Sequence, residues 1–327
     1  MATFTGALPC GVATYTALDA LDLPALARRY GLHEPTAEAL AGGATNSSFR
    51  LTVPGEDRGY VLTALDDHDE AGARRLARII RTAARLGLPT DRVVAGLDGD
   101  DVTMLGDRPY LLKELIPGRV RDPLPAELLP AAGELLARLH TLPPEELNLP
   151  VAARRLSAAH LAVAAGFADR EFTAWMESRL AVVGRHEADR RWTPCAIHGD
   201  LFADNLIVRP DGGLSVIDWE TASLDDPLLD LGMTAVGLCQ DTAGRLSAER
   251  LGRLLDGYCR LRPLPPQDRA DLPVQIVHAS VIIAFHRYHR HNVRFPDAER
   301  ATHYRRMIGF AESVLPGTVG RQGRVSS

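Results

Sequence analysis

The sequence predicts an α+β fold, with a small antiparallel sheet in its first third and a mostly helical remainder. Three observations carry this. Strand-like runs at Arg50–Val53, Tyr60–Thr63, Val102–Leu105 and Tyr110–Ile116 come in pairs, the first pair joined through a turn at Pro54–Gly55. Further on, Leu128, Ala132, Leu135, Leu136 and Leu139 return at helical spacing. One short hairpin then interrupts the helices, inside the run from Cys195 to Asp230 around which the rest of the chain is organised.

A length of 327 residues gives room for two lobes, each with a core of its own. Hydrophobic content of 46% and charged content of 24% are those of a soluble globular protein. The net charge of −5 excludes nucleic acid as a main partner, because a binder needs a basic surface. Cysteines 10, 195, 239 and 259 have no paired or CxxC spacing, which points to reduced thiols in the cytoplasm. The N-terminal ten residues lack a basic, apolar signal pattern, and no apolar run approaches the roughly 18 residues of a membrane span. A monomer or homodimer is expected.

The hairpin carries the chemistry. Leu206–Val208 and Leu214–Ile217 flank the turn Pro210–Gly213. A four-residue loop there pairs Arg209 with Leu214 and sets Asn205 opposite Asp218, at a Cα separation of roughly 4.5–5.5 Å. An amide oxygen beside a carboxylate suits Mg²⁺, which takes its other ligands from water and phosphate. Glu220, two residues beyond Asp218, points to the same side of an extended chain and is a candidate second-metal ligand. Asp200, on the loop before the hairpin, is placed to accept the proton of an attacking hydroxyl. That division of labour is phosphoryl transfer from a nucleoside triphosphate, and it matches the protein-kinase catalytic loop with Gly199 in place of Arg.

The runs HGDLFADN (198–205), IDWE (217–220) and DPLLDL (226–231), with GGATNSSF, GYVLT and LLKELIPG upstream, make the chain resemble the superfamily of aminoglycoside phosphotransferases and type II homoserine kinases. The resemblance covers roughly residues 35 to 240. It implies a two-lobed protein-kinase-like fold, with a nucleotide-binding lobe over 1–118 and a catalytic, acceptor-binding lobe over 119–327. It also implies that His198 and Asp230 support the catalytic loop.

In chain order, Leu21–Tyr30 is predicted as an amphipathic helix stopped by Gly31. Asn46, Ser47 and Ser48 follow Gly42–Gly43 and are expected to form a flap over the phosphates. Thr63 stands where many kinases place the phosphate-binding lysine, and it cannot supply that charge. Asp66–Leu86 is predicted as a helix, with Glu70 facing either solvent or the nucleotide. The resemblance places the base at the backbone of Glu114 and Ile116. Lys113, the single lysine among 37 basic residues, precedes them. It is read as a side chain turned out to solvent, as a stand-in for the missing lysine that reaches the phosphates or Glu70, or as a donor to guanine O6, which would make GTP rather than ATP the donor nucleotide. His140 is read as a helix-end cap, and Trp175 and Met176 as core.

Ala279–His291 ends in a dense run of histidine and arginine. It reads as a solvated helix end or, by the resemblance, as an acceptor wall comprising His286, Arg287, His289 and Arg290. Such a wall favours a neutral or anionic small-molecule acceptor. The generic form of IDWETA narrowly favours an antibiotic-modifying resistance kinase, with homoserine kinase as the alternative. A nucleotide-binding pseudokinase is the reading from another class.

Overall fold

Residues 16–40 and 46–314 are described by the computed structural model, and they divide into two units. One comprises the described residues up to Ala77 together with Arg92–Leu115; the other takes Arg78–Asp91 and the described residues from Ile116 onward. The glycine pair Gly42–Gly43 and Cys10 lie outside the described residues, as do Pro316–Gly317, which the sequence reads as the stop of the last helix, and Gln322–Ser327, which it reads as a tail. Among the described residues no helix is long and apolar enough to cross a membrane.

The first unit is built on an antiparallel sheet. Its strands are β1 (Thr36–Ala39), β2 (Ser47–Thr52), β3 (Tyr60–Ala64), β4 (Val93–Val94), β5 (Thr103–Leu105) and β6 (Arg108–Glu114). They run in the order β1-β2-β3-β6-β4, with β5 also paired to β6. Alternation along β2 buries Phe49 and Leu51, which meet Leu62, Tyr110 and Leu112 of the neighbouring strands. Helix α1 (Leu23–Tyr30) adds Leu26 and Tyr30 to the same core. It begins where Asp22 accepts the Ala25 N–H and ends at left-handed Gly31.

Helix α2 (Glu70–Arg85) starts four residues later than its apolar stripe suggested. Asp66 is unavailable to it, because its carboxylate accepts the hydroxyls of Thr16 and Ser47, both at 2.7 Å. Asp69 instead accepts the Gly72 N–H at 2.7 Å. Glu70 lies exposed and pairs with Arg74, as a first-turn acid does.

The second unit is mostly helical. Two short strand groups supply its catalytic loops: β7 (Arg119–Val120), β9 (Leu206–Val208) and β10 (Leu214–Val216) in one, β8 (Cys195–Ile197) and β11 (Ser223–Asp225) in the other. Around them pack α3 (Leu129–Leu139), α4 (Pro144–Leu147), α5 (Ala158–Ala164), α6 (Arg170–Ala188), α7 (Pro227–Leu238), α8 (Ala248–Leu261), α9 (Pro266–Tyr288) and α10 (Arg305–Val314). A π turn over His289–Arg294 follows α9. Met176 is buried, whereas Trp175 is only partly so and donates its indole N–H to Glu312 at 2.9 Å.

Helices α3 and α8 touch backbone to backbone. A Cβ on Gly257 would run into the Pro130 carbonyl, and one on Gly133 into that of Leu254. In an open helix, Gly→Ala stabilises by about 1 kcal/mol. At this crossing overpacking reverses the sign, and Gly257→Ala is expected to cost about 1–3 kcal/mol in a urea titration. A gain in stability would show that the helices can separate freely.

Candidate active site

The catalytic loop begins where β8 ends. Gly199 takes φ +78°, a conformation in which a side chain is strained, and a Cβ there would stand 3.0 Å from the Thr221 carbonyl oxygen. This explains the residue type: an Arg in this place would force the loop apart. Asp230, fully buried on α7, holds the loop by accepting the N–H groups of His198 at 2.8 Å and Gly199 at 2.7 Å. His140 at the end of α3 adds a third bond to Asp230 at 3.1 Å, and its other ring nitrogen meets the Tyr258 hydroxyl of α8 at 2.8 Å.

Burial pushes the Asp230 carboxyl up, but the His140 hydrogen bond and neighbouring charges outweigh this and leave it below the usual carboxylate range. Burial holds His140 below its ordinary value, which favours the neutral ring. His140 is thus part of the loop's support, a role its reading as a helix cap missed. His198, also fully buried, places Nε2 3.1 Å from the Ile217 carbonyl and its ring edge-on to Trp219.

Asp200 heads the site. Asn205 donates from Nδ2 to the Asp200 carbonyl at 2.8 Å and to its Oδ2 at 3.2 Å. This leaves the Asn205 Oδ1 as the amide atom that would meet a cation. The expected hairpin register is corrected by one residue. Val208 pairs with Leu214 and Leu206 with Val216, and the Ile217 N–H donates to the Asn205 carbonyl at 3.0 Å. The connection is a three-residue loop with left-handed Gly212, a geometry that inserts a bulge and shifts the pairing. Asn205 therefore faces Ile217, and Asp218 follows in the left-handed region at φ +68°.

A non-glycine residue held there is sparsely populated and clusters at functional sites. It also ends the extended geometry on which Glu220 was placed as a second ligand; Glu220 lies in the turn that follows. Among the described residues no three His, Cys, Asp or Glu side chains gather as a metal cluster. An amide oxygen with one carboxylate still fits a hard cation that keeps most of its waters. Asn205 and Asp218 are the residues that would hold Mg²⁺.

Sequence reasoning also missed Arg154. Its Nη2 lies 3.2 Å from Asp200 Oδ1 and its Nε 3.0 Å from the Gly199 carbonyl. Asp204 is a further unpredicted acid; desolvation first and the charge of Asp200 second push its carboxyl up. Of the four residues expected at an acceptor wall, two reach the site electrostatically. Burial holds Arg287 below its usual range against the pull of Asp200 and Asp204, with Arg306 as a like charge beside it. Burial, then Arg154, holds His286 well below its ordinary value. His289 instead stacks on Phe285, and Arg290 lies over the Phe295 ring. The segment is therefore not the solvated helix end that its charge suggested.

The residues expected at the nucleotide are placed as follows. Ser47 is buried and its hydroxyl is committed to Asp66, so it is not a free phosphate donor. On the opposite face of β2, Ser48 sets its hydroxyl 3.4 Å from that of Thr63 across the β2–β3 pair. Asn46 is buried beside the start of β2. Lys113 on β6 stands opposite Val61 and Val93, and the Glu114 N–H is taken by the Arg92 carbonyl. Ile116 begins the longer of the two segments that make up the second unit.

A sheet unit and a helical unit bearing an Asp–Asn–Asp loop define a kinase-like phosphotransferase. The chain belongs to the phosphotransferase enzyme family, whose model matches residues 36–264, and it is a small-molecule kinase with a hydroxyl acceptor. It is 29% identical over 294 residues to the homoserine kinase of Methylobacillus flagellatus, covering 88% of this chain and 89% of that one. With the homoserine kinase of Caulobacter vibrioides it shares 29% over 272 residues, covering 80% and 84%. Among solved structures it resembles amicoumacin kinase in complex with AMP-PNP, Ca²⁺ and Ami, at a TM-score of 0.70 and 14% identity over 90% of this chain and 94% of that one. Spectinomycin phosphotransferase with ADP follows the same fold, at a TM-score of 0.64 and 14% identity over 89% and 94%.

Proposed function

We propose that this kinase transfers the γ-phosphoryl group of ATP to the hydroxyl of a carboxylate-bearing small molecule, homoserine being the first candidate. The observation that carries the reading is the guanidinium on Asp200, with Arg154 3.2 Å from its Oδ1 and the charge of Arg287 on α9 also acting on it. Guanidinium groups recognise carboxylates in a fixed fork, and a polycationic aminoglycoside would be repelled. The similarity to the homoserine kinases of Methylobacillus flagellatus and Caulobacter vibrioides supports the same acceptor.

In the reaction, Asp200 orients the acceptor hydroxyl and takes its proton. The new bond from the acceptor oxygen to Pγ forms as the bond from Pγ to the bridging oxygen breaks, and ADP leaves. Mg²⁺ held at Asn205 and Asp218 would neutralise charge on the β- and γ-phosphates. With Thr63 in place of a lysine, Ser48 and Thr63 are left to contact phosphate through hydroxyls.

A second reading, an antibiotic-modifying kinase, is favoured by the generic form of IDWETA that follows the hairpin. Mass spectrometry separates the readings, run with Mg²⁺ and either ATP or GTP over L-homoserine and a panel of hydroxyl-bearing antibiotics. Phosphohomoserine with ATP is expected. A phosphorylated antibiotic without phosphohomoserine would replace the acceptor, and better use of GTP would assign Lys113 to the base. No product, with a metal-dependent rise in melting temperature, would mark a pseudokinase.

A further inference from the structure

Arg154 and Arg155 are neighbours that go opposite ways. The segment before them is pinned to β11: the Leu224 N–H donates to the Pro150 carbonyl at 2.8 Å, and the Ala152 N–H to the Leu224 carbonyl at 3.0 Å. Ala152 then takes φ +51°, closing a tight turn. Arg155 leaves this turn into a half-buried ionic cluster, bonded to Asp225 and Glu187 at about 2.9 Å, where its role is structural. Arg154 turns the other way and lies across the catalytic loop, its side chain only 14% exposed. It contributes nothing to that ionic cluster.

Both oxygens of Asp200 are thereby occupied, Oδ1 by Arg154 and Oδ2 by Asn205. The Asn205 bond belongs to the loop itself. The Arg154 bond is different, since it sets a cation on the carboxylate that has to accept a proton. A guanidinium seated on Oδ1 stands where an acceptor hydroxyl, or water, has to approach that oxygen, until the cation finds another partner. The charge of Arg287 on α9 also acts on Asp200, so Arg154 is not the sole cation in the surroundings of this carboxylate.

We propose that Arg154 is an acceptor-gated positioning residue: a carboxylate on the acceptor draws its guanidinium away from Asp200, freeing Asp200 to take the hydroxyl proton. The inference rests on the reading of a carboxylate-bearing acceptor. Its consequence is coupling. Without acceptor, the capped aspartate does not activate water, and ATP is not lost to hydrolysis. With an acceptor that has the hydroxyl but no anion, the cap stays in place.

Two variants test this, Arg154→Met, which keeps side-chain length without charge, and Arg154→Lys. Two rates are read. One is kcat/KM for L-homoserine relative to 3-aminopropan-1-ol, the same chain without its carboxylate. The other is ATP hydrolysis with no acceptor present. A charge-assisted bond of this kind corresponds to about 10–100-fold, so the parent is expected to prefer homoserine by that margin. Arg154→Met brings the ratio near unity and raises acceptor-free hydrolysis by about tenfold, while Arg154→Lys recovers part of the ratio. Equal losses on both acceptors with hydrolysis no higher than the parent's would overturn the gate and leave Arg154 a structural residue. If the parent phosphorylates neither compound, the homoserine reading fails separately. The hydrolysis rate then decides alone: a rise upholds the gate and no rise overturns it.

Discussion

Asp200→Asn is expected to lower kcat by about 10²–10⁴ while binding of AMP-PNP stays close to that of the parent. The substitution isolates basicity from geometry. An amide of the same shape keeps an oxygen that can accept from Arg154 or Asn205, so the bonds that shape the loop at 2.8–3.2 Å have partners left to them. What goes is the lone pair able to take a proton. Ser48 and Thr63 on β2 and β3, the proposed phosphate contacts, are untouched. Calorimetry with AMP-PNP and a coupled ADP assay read the two properties apart. Turnover within about tenfold of the parent would remove Asp200 from its role, because a positioned base contributes more than that.

Much of this site was legible because phosphoryl transfer needs a few residue types at short range. His198, Asp200, Asn205 and Asp218 lie within about two dozen positions, and the hairpin that unites them announces itself by Pro210–Gly213. The register was not legible at the level of one residue. A four-residue and a three-residue loop read alike in sequence, and only the left-handed Gly212 decides between them. Ser47 and Ser48 could not be told apart either, until β2 fixed which hydroxyl turns toward Asp66 and which toward Thr63. Arg154 and His140 were missed for another reason. Each meets its partner across a long stretch of chain, and a lone arginine in a turn or a histidine at a helix end carries no local mark of it. The fold class needed no such contacts. Period-two runs before residue 116 and helical stripes after it sufficed, since each reports burial of one face.

Asp230→Ala is the substitution expected to damage the fold most. Its carboxylate accepts three donors in a fully buried place, the amides of His198 and Gly199 and the ring of His140. Alanine strands both amides away from water, at about 1–3 kcal/mol each. It also breaks a chain of bonds running from the loop through His140 to Tyr258 on α8. A total of about 3–5 kcal/mol is expected, from two stranded amides and the lost bond to the His140 ring together. His140→Gln should cost less, because the two amides keep their acceptor. Urea midpoints order the variants, and kcat of the protein that remains folded reports the loop. Asp230→Ala should also turn over slowly when folded, since Gly199 at φ +78° has lost the bond that holds it in that conformation. A parental midpoint would mean that water reaches the stranded amides. A lower midpoint with parental kcat would make Asp230 a fold residue alone, and would place the loop's rigidity in the bonds of Asn205 and Thr221 instead.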